Sequence, residues 1–170
     1  MNLNRRLFFK ASASTLVLGA AGTALGGLKF MEDAKAKNTI TPIKKTEAEW
    51  KEILTSEQYR VLRKEGTERA GTSPLNDEKR EGIYHCAGCD LPLFSSSTKY
   101  ESGTGWPSFY QPLDGAVATK ADYWLGYRRE EYHCARCGGH QGHVFTDGPQ
   151  PTGLRYCNNG VALKFKPKGS

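Results

Sequence analysis

Residues 131–146 read Glu-Tyr-His-Cys-Ala-Arg-Cys-Gly-Gly-His-Gln-Gly-His-Val-Phe-Thr. A short run, Glu131–Cys134, enters a Cys-x-x-Cys turn, and a second, Gly142–Thr146, follows it. Runs this brief, bounded by glycine, suit strands. The same texture extends in both directions. Gly82–Cys86, Leu91–Phe94, Val117–Lys120, Trp124–Arg129, Arg155–Asn158 and Val161–Phe165 are further strand candidates, separated by Gly, Pro, Asp or Asn. No long helical period interrupts them, so residues 81–168 are expected to be a mainly β core of antiparallel strands.

Residues 37–80 read as a polar leader carrying two short helices. Thr46-x-x-Glu49 and Thr55-x-x-Gln58 are capping boxes, in which a threonine hydroxyl and the side chain three residues on each satisfy a free amide. Trp50, Ile53, Tyr59 and Leu62 are the apolar positions expected to lay these helices on the core, and Gly66 is the expected stop. Ala70 to Gly82 reads as loop. Nothing in 37–80 suggests chemistry.

Residues 1–36 have the pattern of an export signal. Arg5-Arg6 precedes Leu7-Phe8-Phe9-Lys10, and Ala11 to Gly27 is small, apolar and uncharged. Adjacent arginines before a weakly hydrophobic run point to the bacterial twin-arginine machinery and a periplasmic location, with Ala34-Lys35-Ala36 as the candidate cleavage site. The chain carries +6 overall. Half of that surplus lies in residues 1–36, and the mild remainder argues against a nucleic-acid surface.

The chain has five cysteines. Cys86/Cys89 and Cys134/Cys137 form two Cys-x-x-Cys pairs, a spacing that aims two thiolates at one point. Four such sulfurs make a closed structural site. Zinc is the first expectation and a rubredoxin-type iron site the rival. His85 and His133, beside the pairs, are surplus to a four-ligand shell. Cys157 is then the spare thiol. Around it the sequence gathers Glu101–Phe109 with Trp106, His140–Pro149 with His140, His143, Phe145 and Asp147, and Pro151–Asn159 with Arg155 and Asn159. A free thiol with histidines, an arginine and aromatics in a Gly/Pro frame suggests nucleophilic chemistry with acid assistance. A rubredoxin-like electron carrier and a zinc-ribbon binding module stay open as alternatives.

These motifs resemble the B-type methionine sulfoxide reductases. They are the two knuckles, Ser-Gly-x-Gly-Trp-Pro-Ser-Phe from Ser102, His-x-Gly-His-Val-Phe-x-Asp-Gly-Pro from His140, and Gly-x-Arg-Tyr-Cys-x-Asn from Gly153. The likeness covers about Ile43 to Pro167. It implies antiparallel sheets or a partly open barrel, one structural zinc on Cys86, Cys89, Cys134 and Cys137, and Cys157 as nucleophile. Trp106 and Phe145 are then substrate-binding. His140, His143 and Asn159 surround the sulfoxide oxygen, and Asp147 and Arg155 stand behind them. The implied partners are oxidised peptides and proteins and a thioredoxin-like or small-thiol reductant, acting on a monomer. Many relatives carry a second, resolving cysteine where this chain has Thr104. Gln141 and Gly160 also depart from the usual residues, and Gln141 is expected on the pocket floor.

Overall fold

The computed structural model describes residues 40–123 and 126–169. The expected signal lies outside these residues, as do Trp124 and Leu125. Among the described residues no helix is long and apolar enough to cross a membrane.

Helices α1 (Glu47–Ile53) and α2 (Ser56–Lys64) start where the threonines place them. Both capping boxes are closed, Thr46 with Glu49 and Thr55 with Gln58. Trp50 and Leu62 are buried as expected, but Ile53 is 53% exposed and Leu54 and Val61 are the further buried apolar residues. The chain turns out of α1 at Leu54, which carries Leu54 inward in place of Ile53. Helix α2 ends at Lys64, and its cap Glu65, not Gly66, adopts the left-handed conformation, φ 55°.

Among the described residues nine strands follow: β1 (Gly82–Cys86), β2 (Pro92–Ser95), β3 (Lys99–Tyr100), β4 (Ser108–Phe109), β5 (Val117–Asp122), β6 (Arg129–Cys134), β7 (His140–Phe145), β8 (Arg155–Asn158) and β9 (Leu163–Pro167). They form two antiparallel sheets, ordered β2-β1-β9 and β3-β4-β8-β7-β6-β5, and neither closes into a barrel. The strand expected over Trp124–Arg129 begins only at Arg129. Gly126 has φ +79°, and Tyr123 and Tyr127 are exposed, so the described part of that stretch is a hairpin turn whose aromatics imitate a strand.

The core lies between the sheets and is aromatic. Phe94 stacks on Phe109 at 4.3 Å, Tyr84 meets Phe109 edge-on at 4.9 Å, and Tyr132 meets Tyr156 edge-on at 5.3 Å. Such pairs add about 0.5–1.5 kcal/mol each beyond the area they bury. Tyr132 Oη donates to Asn158 Oδ1 at 2.6 Å, which satisfies a hydroxyl inside the core.

Because side chains alternate along a strand, the residues between these core positions share the opposite face of the large sheet. The register puts Lys120 beside Glu131, Glu131 beside His143, His143 beside Cys157 and Cys157 beside Ser108. One row across five strands is therefore polar and reactive. Gly142 makes the β7–β8 approach possible here: a Cβ on it would lie 1.8 Å from Cys157 O.

Candidate active site and metal centre

The four paired cysteines come together. Their sulfurs all lie within 4.8 Å of one another, with Cys86 Sγ to Cys137 Sγ at 3.6 Å and Cys89 Sγ to Cys134 Sγ at 3.5 Å. A tetrahedral ion with bonds of about 2.3 Å sets its sulfurs about 3.8 Å apart, so the cluster fits such an ion. The two knuckles repeat one backbone pattern. Cys86 N–H donates to Leu91 O and Asp90 N–H to Cys86 O, while Cys134 N–H donates to Gly139 O and Gly138 N–H to Cys134 O. Arg63 donates to Cys137 O at 2.9 Å and stacks on Trp50, and Arg136 donates to Cys89 O at 3.4 Å, so two arginines hold the backbone of the knuckles. His85 and His133 are not in the cluster.

Gln141 belongs to this centre and not to the pocket floor. Fully buried, it donates from Nε2 toward Cys86 Sγ at 3.5 Å, an amide contact that favours thiolate. Gly160 has its own reason. Ser73 Oγ occupies the space where a side chain would start, 1.8 Å from a Cβ at that position.

Cys157 lies outside the cluster, half-buried, in a small cavity of about 150 Å³ lined by Thr67, Trp106, Arg129, His143, Phe145 and Asn159, among others. A groove of about 620 Å³ on the small sheet, lined by Lys79, His85, Ser95–Ser97 and Lys166, holds none of the reactive residues. Chemistry, and not size, selects the smaller one. Burial pushes the Cys157 thiol above its ordinary range. The Arg155 guanidinium and the Thr104 hydroxyl, both within hydrogen-bonding reach, pull the other way without prevailing. Arg155 favours the thiolate, yet desolvation is the larger effect.

Trp106 is fixed by its indole N–H, which donates to Glu68 O at 2.9 Å. Phe145 is held from behind: Arg155 lies 4.3 Å over its ring, and Asp147 grips Arg155 through two bonds of 2.8 and 2.9 Å. Asp147 is itself 63% exposed, so it acts through Arg155. His143 donates from Nε2 to Asp122 Oδ2 at 2.8 Å. Burial pushes its pKa below the usual imidazole range, with Arg129 and His140 adding to that effect and Asp122 opposing it. His140 sits behind His143, ring centres 5.5 Å apart, with Nδ1 on Glu131 Oε1 at 2.8 Å. It lines a second cavity that shares His143, not the one that holds Cys157. Asn159 lines the Cys157 cavity, but its amide is engaged with backbone: Oδ1 accepts from Glu68 N–H at 2.8 Å and Nδ2 donates to Gln141 O at 2.9 Å.

Four contributors escaped the reading of the sequence. Thr67 and Glu68 come from the leader that was assigned no chemistry, and no local motif marks them. Asp122 and Arg129 carried a usable signal: Lys120/Asp122 and Arg129/Glu131 are charges two apart on neighbouring strands, hence on one face.

A SelR domain matches residues 54–167. The chain is 56% identical over 125 residues to the peptide methionine sulfoxide reductase MsrB of Leptospira interrogans serogroup Icterohaemorrhagiae serovar Lai, covering 73% of this chain and 95% of that protein. It is 57% identical over 127 residues to the MsrB of Pseudomonas putida (strain W619), covering 74% and 96%. Against the MsrB of Agrobacterium fabrum it is 52% identical over 130 residues, covering 76% and 96%. With a family model over residues 54–167 and relatives more than 50% identical along nearly their whole length, the chain belongs to the SelR family of B-type methionine sulfoxide reductases.

Proposed function

We propose that this oxidoreductase reduces the R epimer of methionine sulfoxide in peptides and proteins, with Cys157 as nucleophile. The observation that carries the reading is the position of Cys157, the one cysteine of five apart from the cluster, in the cavity walled by Trp106 and Phe145 and edged by His143. The Cys157 thiolate attacks the sulfoxide sulfur. An S–S bond forms as the oxygen takes up a proton from His143; the hydroxyl then passes to the Cys157 sulfur as the S–S and S–O bonds to the substrate break. The products are methionine and a Cys157 sulfenic acid, so two electrons pass from the thiolate to the substrate. The aromatic walls favour the methyl group and the polar edge favours the oxygen, which distinguishes one epimer from the other.

Two molecules of an external thiol then return the sulfenic acid to thiol, releasing water and their own disulfide. An internal partner is lacking: Thr104 holds the neighbouring place, and the other sulfurs face one another. Cys86, Cys89, Cys134 and Cys137 would hold zinc, which supplies a redox-inert cross-link with no open coordination position. The twin-arginine segment supports repair of exported proteins in the periplasm by a monomer that carries its metal before export.

The test is turnover of the two epimers of a blocked methionine sulfoxide with a dithiol reductant. The expected result is R-epimer reduction that Cys157→Ser abolishes while metal content stays unchanged. Visible absorption from a ferric thiolate centre, with activity independent of Cys157, would instead favour the electron-carrier reading.

A further inference from the structure

The two histidines of the site are held by different nitrogens, and each by a carboxylate braced by a cation. His140 presents Nδ1 to Glu131, whose other oxygen lies 2.9 Å from Lys120 Nζ. His143 presents Nε2 to Asp122 Oδ2 at 2.8 Å, and the same oxygen accepts from Arg129 at 2.6 Å. Asp122 and Arg129 are the cross-strand pair next to the turn that joins β5 to β6, so the hairpin itself sets their geometry. A carboxylate only accepts, so Nε2 of His143 carries a hydrogen in either charge state. Nδ1 is the nitrogen that Asp122 leaves free on a ring that lines the Cys157 cavity. It carries a transferable proton only as imidazolium.

We propose that Asp122 is a positioning residue for the reductive step: with Arg129 behind it, it locks the His143 ring so that Nδ1 delivers the proton to the departing oxygen. This rests on the reading of His143 as proton donor. Asp122 stabilises the imidazolium that donates, and Arg129 limits that stabilisation. The pair therefore sets the pH at which the donor is lost. The other charged or titratable groups facing His143 are Glu131 from β6, His140 from its own strand and Cys157 from β8. Lys64 and Glu65 stand across the cavity of about 630 Å³ behind it.

The experiment is a single-turnover measurement of methionine formation from the blocked R-sulfoxide, without external reductant, across pH. It compares the full chain with Asp122→Asn, Arg129→Met and His143→Asn, each checked for metal content and circular dichroism. Asp122→Asn is expected to lower the rate at neutral pH about tenfold to a hundredfold, part of the effect typical of a general acid, with half-saturation changed by less than about threefold. Its alkaline limb moves to lower pH by about one unit, because an anion that favoured the cation is gone. Arg129→Met moves that limb the opposite way, and opposed shifts are not what simple loss of structure produces. A folded Asp122→Asn with the parental rate and limb would overturn the proposal. If Asp122→Asn fails to fold, Arg129→Met decides: an upward shift supports the proposal and an unmoved limb overturns it. His143→Asn separates the two readings. Parental rates there would remove His143 as donor, whereas a slow His143→Asn beside an unaffected Asp122→Asn would remove only the role of Asp122.

Discussion

Cys157, the proposed nucleophile, is a thiol whose pKa burial pushes upward. Its reactivity then depends on the groups that oppose burial. Replacing Arg155 with Met removes the cation and bares one face of Phe145. Iodoacetamide should label Cys157 about tenfold more slowly at neutral pH, since an opposite charge this close moves a pKa by about a unit or more. Asp147→Asn should cost only a few-fold, because its carboxylate is exposed and acts through Arg155. Thr104 sits against the thiol with its hydroxyl tied into a chain through Ser102 to Ser108. Thr104→Cys should therefore permit a disulfide to Cys157 and make turnover faster with a dithiol protein reductant. A variant whose oxidised form still holds two free thiols outside the cluster would show the position to be unsuited. At this scale the sequence was legible through arithmetic: four cysteines pair by spacing and the fifth stands out. The His143 and Trp106 motifs were equally plain. Asn159 was not, because whether an amide points at backbone or substrate depends on where the Thr67–Glu68 segment passes, and nothing local encodes that.

Elements carry these residues to their places. Strands β1 and β8 have the bounds that their composition suggested: a knuckle ends β1, and β8 stops at the Asn158-Asn159-Gly160 run. The two-residue strands β3 and β4 are too short to produce an alternating pattern; β4 exists because β8 offers it an edge, and β3 because β4 does. Helix α2 was read only as packing, and its packing target is the metal centre. Leu62 lies over both Gly88 and Gly139, beside Cys137. Leu62→Ala should destabilise the fold by about 2–5 kcal/mol, as for other buried leucines, and hasten loss of metal to a chelator. Thermal unfolding with a colorimetric zinc assay would measure both. In contrast, Gly142→Ala should leave the metal bound and remove activity. Its methyl group has no room against Cys157 O, so β7 and β8 must part beside the nucleophile.

For the whole molecule, the four-sulfur centre is the tie between the two sheets. Cys86 ends β1 in the small sheet and Cys134 ends β6 in the large one, and the aromatic core lies between. Stripping the metal should lower the unfolding midpoint and loosen the cavity that holds Cys157, which lies on the same large sheet. Activity should return when zinc is restored, without any sulfur redox chemistry at the cluster. The architecture was readable as antiparallel β from the spacing of turns. The split into three and six strands was not, because sheet membership depends on which edges meet in space. That division of labour among five sulfurs is tested most directly by mass spectrometry of the enzyme after one turnover with R-sulfoxide and no reductant. The expected result is one added oxygen on Cys157, with Cys86, Cys89, Cys134 and Cys137 unmodified. A disulfide from Cys157 to any of those four, or an oxygen elsewhere, would contradict it.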